Sequence, residues 1–213
     1  MVRVFCLVLG YIFGLFQTGY IIGKMHGIDI REHGSGNAGT TNMLRTMGRK
    51  AGAVTFLGDF LKCVAILMVI EYLIGPKYPD MIPLLKLYGA AGVILGHNFP
   101  FYLKFRGGKG IAASAGLVFL HPVIAVLGMI TFFTAFFITH YVSLGSLLIY
   151  AGFVIELIIR GQLGMFGMSQ MFLVEMYVLA FLLAVMAFWK HRENIKRLLS
   201  GTERKTYLSK RNR

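Results

Sequence analysis

Long apolar runs separated by short polar stretches make up most of the chain. The runs cover approximately positions 4–22, 51–74, 83–102, 111–120, 122–139, 144–159 and 171–189. Each approaches, or falls somewhat short of, the roughly 20 residues that carry a helix across hydrocarbon. The pattern predicts an all-α integral membrane bundle of about seven transmembrane helices, with residues 1–213 forming one domain. Only His121-Pro122 separates the fourth run from the fifth, so the pair reads either as a hairpin or as one bent 29-residue helix.

Charge chooses between these readings. With a hairpin, five Lys and Arg in 23–50, three in 104–109 and nine in the tail fall on one side, 17 of the 22 in the chain. Basic residues concentrate on the cytoplasmic side of membrane proteins. The seven-helix count is therefore favoured, with the N-terminus outside and the C-terminus cytoplasmic. The single long helix would put the basic tail outside and is rejected.

Composition agrees: 56% of residues are hydrophobic, 15% are charged, and mean hydropathy is +0.68. Soluble domains carry about 25% charged residues. The net charge of +13 invites a nucleic-acid reading. Most of it borders apolar segments, where it serves topology and contact with anionic lipid headgroups, so no nucleic-acid partner is expected. Cys6 and Cys63 fall in apolar helices and read as small core residues, neither disulfide nor metal ligands. The first segment lacks a small-residue cleavage site and reads as a retained helix.

Two glycine-rich polar stretches interrupt this apolar background. In the first, Gly34-Ser35-Gly36-Asn37-Ala38-Gly39-Thr40-Thr41-Asn42 precedes Arg45. Its G-x-G-x-x-G spacing matches a dinucleotide fingerprint, but that motif needs a preceding strand and a βαβ unit, and here a membrane helix precedes. The local physics survives: glycines let backbone N–H groups approach an anion, and hydroxyl and amide donors surround them. Thr40 or Thr41 can cap a helix that carries Arg45 along the same face. Phosphate binding is preferred over a plain capped turn, because donors and a cation converge.

The second stretch runs from Gly96-His97-Asn98-Phe99-Pro100 to Arg106-Gly107-Gly108-Lys109-Gly110. It is not a Walker motif, since Leu103 and Gly110 replace the required first glycine and final Ser or Thr. Lys104, Arg106 and Lys109 nevertheless place three cations beside flexible backbone. His97 can accept a proton, bond a phosphate or cap the helix end; taken alone, the cap is the simplest reading.

Asp59 and Lys62 stand three residues apart in an apolar helix and are expected to pair in a structural role. Ser146 in Tyr141-Val142-Ser143-Leu144-Gly145-Ser146 suits close helix packing, and Ser143 is open to a ligand. In the tail, His191, Asn194 and Leu198 share one helical stripe, Glu193 and Arg197 form an i, i+4 pair on another, and Gly201 ends the helix.

Taken together, these motifs resemble the bacterial acyl-phosphate-dependent glycerol-3-phosphate acyltransferase family, PlsY, over essentially the whole chain. The likeness lies in Gly34–Asn42 with Arg45, Gly58-Asp59-x-x-Lys62, Gly96–Pro100 through Phe105–Gly110, Tyr141–Ser146, and Arg192-Glu-Asn-Ile-Lys-Arg-Leu198 with Gly201-Thr-Glu203. It implies a multi-pass enzyme of the bacterial plasma membrane with its active site on the cytoplasmic face. That enzyme would move an acyl group from acyl phosphate to the sn-1 hydroxyl of glycerol 3-phosphate, giving lysophosphatidic acid and inorganic phosphate.

No cofactor, metal, nucleotide or obligate protein partner is implied; the partners are the two substrates and membrane lipid. Catalytic roles are expected for Ser35, Arg45, Lys109 and His97. Substrate-binding roles are expected for Gly34, Gly36, Asn37, Gly39, Thr41, Asn42, Lys104, Gly107, Gly108, Ser143, His191 and Asn194. Thr40, Cys63 and His140 depart from the family's common Ala, Gly and Arg. An organophosphate or anion transporter is the alternative, although the paired repeats and broken midplane helices usual in transporters are not evident. A carrier-dependent acyltransferase with His-x4-Asp has no matching spacing at His26, His33 or His97.

Overall fold

The computed structural model describes residues 1–120 and 122–207. Among them every regular element is helical. The principal helices are α1 (Val2–Gly14), α2 (Thr18–Met25), α3 (Thr40–Met47), α4 (Arg49–Val69), α5 (Ile82–Asn98), α6 (Ile111–Ser114), α7 (Pro122–Thr139), α8 (Val142–Gln162), α9 (Gln170–Lys190) and α10 (Arg192–Leu199). Four stretches are long and apolar enough to cross a membrane: Val2–Met25, Arg49–Lys77, Val142–Gln162 and Gln170–Lys190. Shorter apolar helices accompany them.

Helix α5 is the centre of the bundle. It is apolar around its whole circumference, as a helix enclosed by others must be; Leu84, Leu85, Leu87, Val93 and Ile94 are buried. Glycines set its distance from α1. A Cβ on Gly10 would lie 2.1 Å from the Gly89 carbonyl oxygen, and one on Gly92 would lie 2.1 Å from that of Leu7. With little hydrophobic drive between helices in lipid, such backbone-to-backbone contact is a main source of association. The outer surface is inverted relative to a soluble protein: Val174, Val178, Phe181 and Val185 of α9 form an exposed stripe at helical spacing, a lipid-facing pattern.

The first apolar run is a broken helix, not a continuous one. Between α1 and α2, buried Gln17 donates through Nε2 to the carbonyls of Gly14, Gly96 and His97 at 3.1–3.2 Å. Irregular backbone is tolerated at membrane depth only when protein satisfies its polar groups, and one amide does so here. The run 111–120 forms only α6 and a 3-10 turn, Ala115–Phe119. At about 1.5 Å per α-helical and about 2.0 Å per 3-10 residue, this segment reaches about 16 Å, half a bilayer. Gly116 seats this segment on α4, where its Cβ would come within 2.6 Å of Cys63.

Ion pairs at one end of the bundle staple helices together. Arg3 grips Glu175 through Nε and Nη2, Tyr88 donates to Glu175 at 2.8 Å, and Lys86 pairs with Glu71. The glycine-rich loops and the basic tail gather at the other end.

Candidate active site

The first loop keeps its shape through a small core and one amide. Ile30, Ala38 and Met43 pack together under it. Buried Asn42 accepts from Ser35 N–H at 2.8 Å and donates to the carbonyls of Ile30 and His33. Its amide is thus committed inside the loop, and Asn42 shapes the site although a substrate contact was expected. Gly34 and Gly36 take positive φ (+60° and +72°), which favours glycine. Helix α3 starts at Thr40 with Gly39 as its N-cap and no side-chain cap, correcting the expected threonine cap. Asn37 Oδ1 receives Gly39 N–H at 2.9 Å.

The second loop differs more from expectation. Gly107 and Gly108 do not offer their amides to a ligand; they donate to the carbonyls of Asn98 and His97 at 3.3 and 3.0 Å. Their missing side chains serve close packing, since a Cβ on Gly107 would lie 2.0 Å from His97 O, and one on Gly108 would lie 2.0 Å from His97 Nε2. This clamp against the end of α5 directs Lys109 inward. Lys104 sits in a left-handed conformation (φ 54°) and is exposed. It lines a separate groove with Arg106 and Trp189. That geometry corrects its expected place beside Lys109.

His97 is 2% exposed and does not cap its helix. Its Nδ1 lies 2.9 Å from Lys62 Nζ, which also donates to Asp59 Oδ1 at 2.8 Å and to Phe16 O at 2.7 Å. Thr18 donates to the same carboxylate at 3.2 Å. The expected Asp59–Lys62 pair is therefore present. It forms the buried floor of the site and holds His97 through the ring nitrogen that faces away from Gly108.

The tail closes the remaining side. Glu203, 8% exposed, accepts from Ser143 Oγ at 2.9 Å, Asn194 Nδ2 at 2.7 Å and Arg197 Nε at 2.8 Å. Arg197 thus binds Glu203, and Glu193 instead takes Lys196, correcting the expected i, i+4 pair. Asn194 Oδ1 accepts from Lys109 Nζ. The chain Lys109–Asn194–Glu203–Ser143 links the second loop, α10, the tail and α8. The sequence motifs included Glu203 without a role and Arg197 only as a partner of Glu193, and gave Lys190, Arg204 and Thr206 no place in the site. The available signal was an acid two residues past the helix-ending Gly201, in a tail rich in cations.

These parts enclose a cavity of about 640 Å³. Its wall includes Gly34, Ser35, Gly36, Asn37, Gly39, Thr41, Asn42, Arg45, His97, Lys109, Ser143, His191 and Asn194, but not Lys104, Gly107 or Gly108. Six Arg and Lys side chains line it against three carboxylates, so the lining favours an anion. Phe56 from α4 and Phe132, Phe133 and Phe136 from α7 form an apolar wall beside the cations.

Electrostatics sharpen the chemistry. Burial, followed by nearby Arg197, pushes the Lys109 ammonium down to about 8. Burial also lowers Arg45 from its usual value, partly opposed by Glu203. For Glu203, burial would raise the carboxyl, but its bonds from Asn194, Ser143 and Arg197 hold it below the usual range. His191 is pushed down to about 4, first by burial and then by Lys109. Its Nδ1 lies 2.8 Å from Ala187 O. A carbonyl only accepts, so Nδ1 carries the proton, leaving Nε2 as an acceptor.

Among the described residues the bundle is all-helical, and a cationic cavity beside an aromatic wall suits an amphipathic, anionic ligand. Comparison with known proteins makes the assignment specific. The chain belongs to the glycerol-3-phosphate acyltransferase family, whose model, described as "Glycerol-3-phosphate acyltransferase", matches residues 4–201.

A glycerol-3-phosphate acyltransferase of Clostridioides difficile (strain 630) is 41% identical over 93% of this chain and 92% of the relative. One of Alkaliphilus metalliredigens is 38% identical over 96% of each. Crystal structures of PlsY, described as an integral membrane glycerol 3-phosphate acyltransferase, superpose in the glycerol 3-phosphate form (TM-score 0.83, 29% identity, 97% of this chain and 96% of that one). The lysophosphatidic acid form superposes with TM-score 0.80, at 28% identity and the same coverage. The chain is thus an acyltransferase with the PlsY fold, and the transporter alternative finds no support.

Proposed function

We propose that this enzyme transfers a fatty acyl group from acyl phosphate to the sn-1 hydroxyl of glycerol 3-phosphate, releasing lysophosphatidic acid and inorganic phosphate. The observation that carries the reading is that Arg45 of α3 and Lys109 of the second loop line one cavity with an aromatic wall. Two phosphate-bearing molecules repel each other, and converging cations offset that repulsion while orienting hydroxyl and carbonyl for attack. The acyl chain lies along Phe56, Phe132 and Phe133. Glycine-loop donors and Ser35 hold phosphate oxygens, with Asn37, Gly39 and Thr41 completing that wall.

Acyl phosphate is a mixed anhydride and already activated, so no acyl-enzyme is needed. The hydroxyl oxygen attacks the carbonyl carbon, the carbon–oxygen bond to phosphate breaks, and phosphate departs with the electron pair. The proton goes to substrate phosphate. Phosphate monoesters have a second pKa of about 6, whereas His191 is held near 4. The phosphate oxygen therefore takes the attacking hydroxyl's single hydrogen, and His191 Nε2, an acceptor, bonds the other glycerol hydroxyl. Lys109 and Arg45 stabilise charge on the carbonyl and leaving group.

The concentration of Lys and Arg in the loops and tail around this cavity supports a cytoplasmic-facing site in a bacterial plasma membrane, in a seven-segment bundle with the N-terminus outside. The decisive assay mixes purified protein, acyl phosphate and labelled glycerol 3-phosphate. Stoichiometric lysophosphatidate and free phosphate are expected. Acyl transfer from a thioester donor, with acyl phosphate left intact, would overturn the reading.

A further inference from the structure

Five residues beyond the family match, the tail folds back across the cavity onto Arg45. Thr206 is 4% exposed. Its Oγ1 accepts from Arg45 Nη2, and the same nitrogen donates to Arg204 O at 3.0 Å. The tail is itself anchored, since Thr206 N–H donates to His140 O at 2.9 Å and the rings of His140 and Tyr207 lie 4.8 Å apart. His140 holds a left-handed backbone, φ 60°, without being glycine. Such a conformation persists only where surrounding contacts enforce it.

The arrangement lies just beyond residues 4–201, the stretch that the family model matches. A guanidinium is a planar fork whose position decides what it can bind. Both hydrogens on Nη2 are taken by the tail, while Nη1 and Nε have no bond to the described residues.

We propose that Thr206 is a positioning residue for anion binding: it locks one nitrogen of Arg45 so that the other two face the substrate phosphate. The inference rests on the role given to Arg45 in the proposed reaction. Thr206 borders the same cavity, and its role is exerted through Arg45. A valine at 206 would keep shape and burial but lose the acceptor, whereas a serine would keep the acceptor.

The test compares Thr206→Val, Thr206→Ser and Arg45→Ala in detergent-purified protein, reading glycerol 3-phosphate affinity by calorimetry, kinetics and thermal stability. Thr206→Val should weaken affinity and raise KM by about tenfold, the scale of one charge-assisted hydrogen bond, with kcat nearly unchanged. Thr206→Ser should restore both. In an Arg45→Ala background, Thr206→Val should cost nothing further in affinity.

Undiminished affinity in Thr206→Val, or equal losses in Thr206→Val and Thr206→Ser matching a lowered melting temperature, would overturn the positioning role. Tighter binding in Thr206→Val would also overturn it, making the tail a competitor for Arg45. Normal affinity in Arg45→Ala would instead remove the underlying reading of the cation.

Discussion

Lys109 and Asn194, 85 positions apart, meet side chain to side chain, with Lys109 Nζ donating to Asn194 Oδ1. The contact ties the second glycine loop to α10 and leaves the lysine short of full neutralisation, because Asn194 brings no charge. Glu203 supplies the compensating charge one step away, through Asn194 Nδ2.

Lys109 should set an alkaline limit on turnover. Held at about 8 in the free site, its ammonium is present below that pH and lost above it, so kcat/KM should decline as pH rises through about 8. Lys109→Ala should abolish turnover. Lys109→Arg, permanently charged, should remove or raise the alkaline limb even if its maximum rate is lower. A pH profile of kcat/KM for wild type and Lys109→Arg checks this.

Glu203→Gln should destabilise the protein as well as slow it. The substitution removes the partner charge of Arg197 and disturbs bonds to Ser143 and Asn194. A cost of about 2 kcal/mol is expected, or roughly 4–8 °C in melting temperature for a chain of this size. Ser143→Ala should cost less, since it deletes one neutral donor.

Replacing His97 separates two routes for the proton. With substrate phosphate as acceptor, His97→Ala should lose less than the ~100-fold that marks removal of a general base. Turnover that stops while substrate affinity is retained would transfer the role to His97.

Ser35→Cys offers a topology test. Cys6 and Cys63 are fully buried, so labelling should report position 35 alone. A membrane-impermeant thiol reagent should label inverted vesicles and spare intact cells. The reverse result would turn the proposed orientation over.

Gly92→Leu should separate α1 from α5. Its Cβ alone would meet Leu7 O at 2.1 Å and Tyr11 N at 2.7 Å. Overpacking of this kind costs about 1–3 kcal/mol or more, and lower thermal stability in detergent is the expected readout.

Periodicity and motif spacing made the helices and both loops legible, because lipid imposes long apolar runs and anions require donors. The break at Gln17 was hidden, since one buried amide replaces backbone bonds without altering the surrounding hydropathy. The glycines at 107 and 108 were visible, but their reason was not: proximity to His97 joins the loop to a helix end that spacing alone cannot place. Glu203 and Thr206 were obscured for the same cause, as their partners at 143 and 45 are remote in the chain. The Asp59–Lys62 pair was readable because one helical turn connects it, while its third member at 97 arrives from another helix.

The cavity draws its walls from positions as far apart as 34 and 206. During synthesis, a ribosome that has delivered every apolar segment still withholds Glu203 and Thr206. A nascent chain already threaded into the bilayer therefore lacks a finished pocket, whose tail wall forms only when Glu203 reaches Ser143 and Thr206 reaches Arg45.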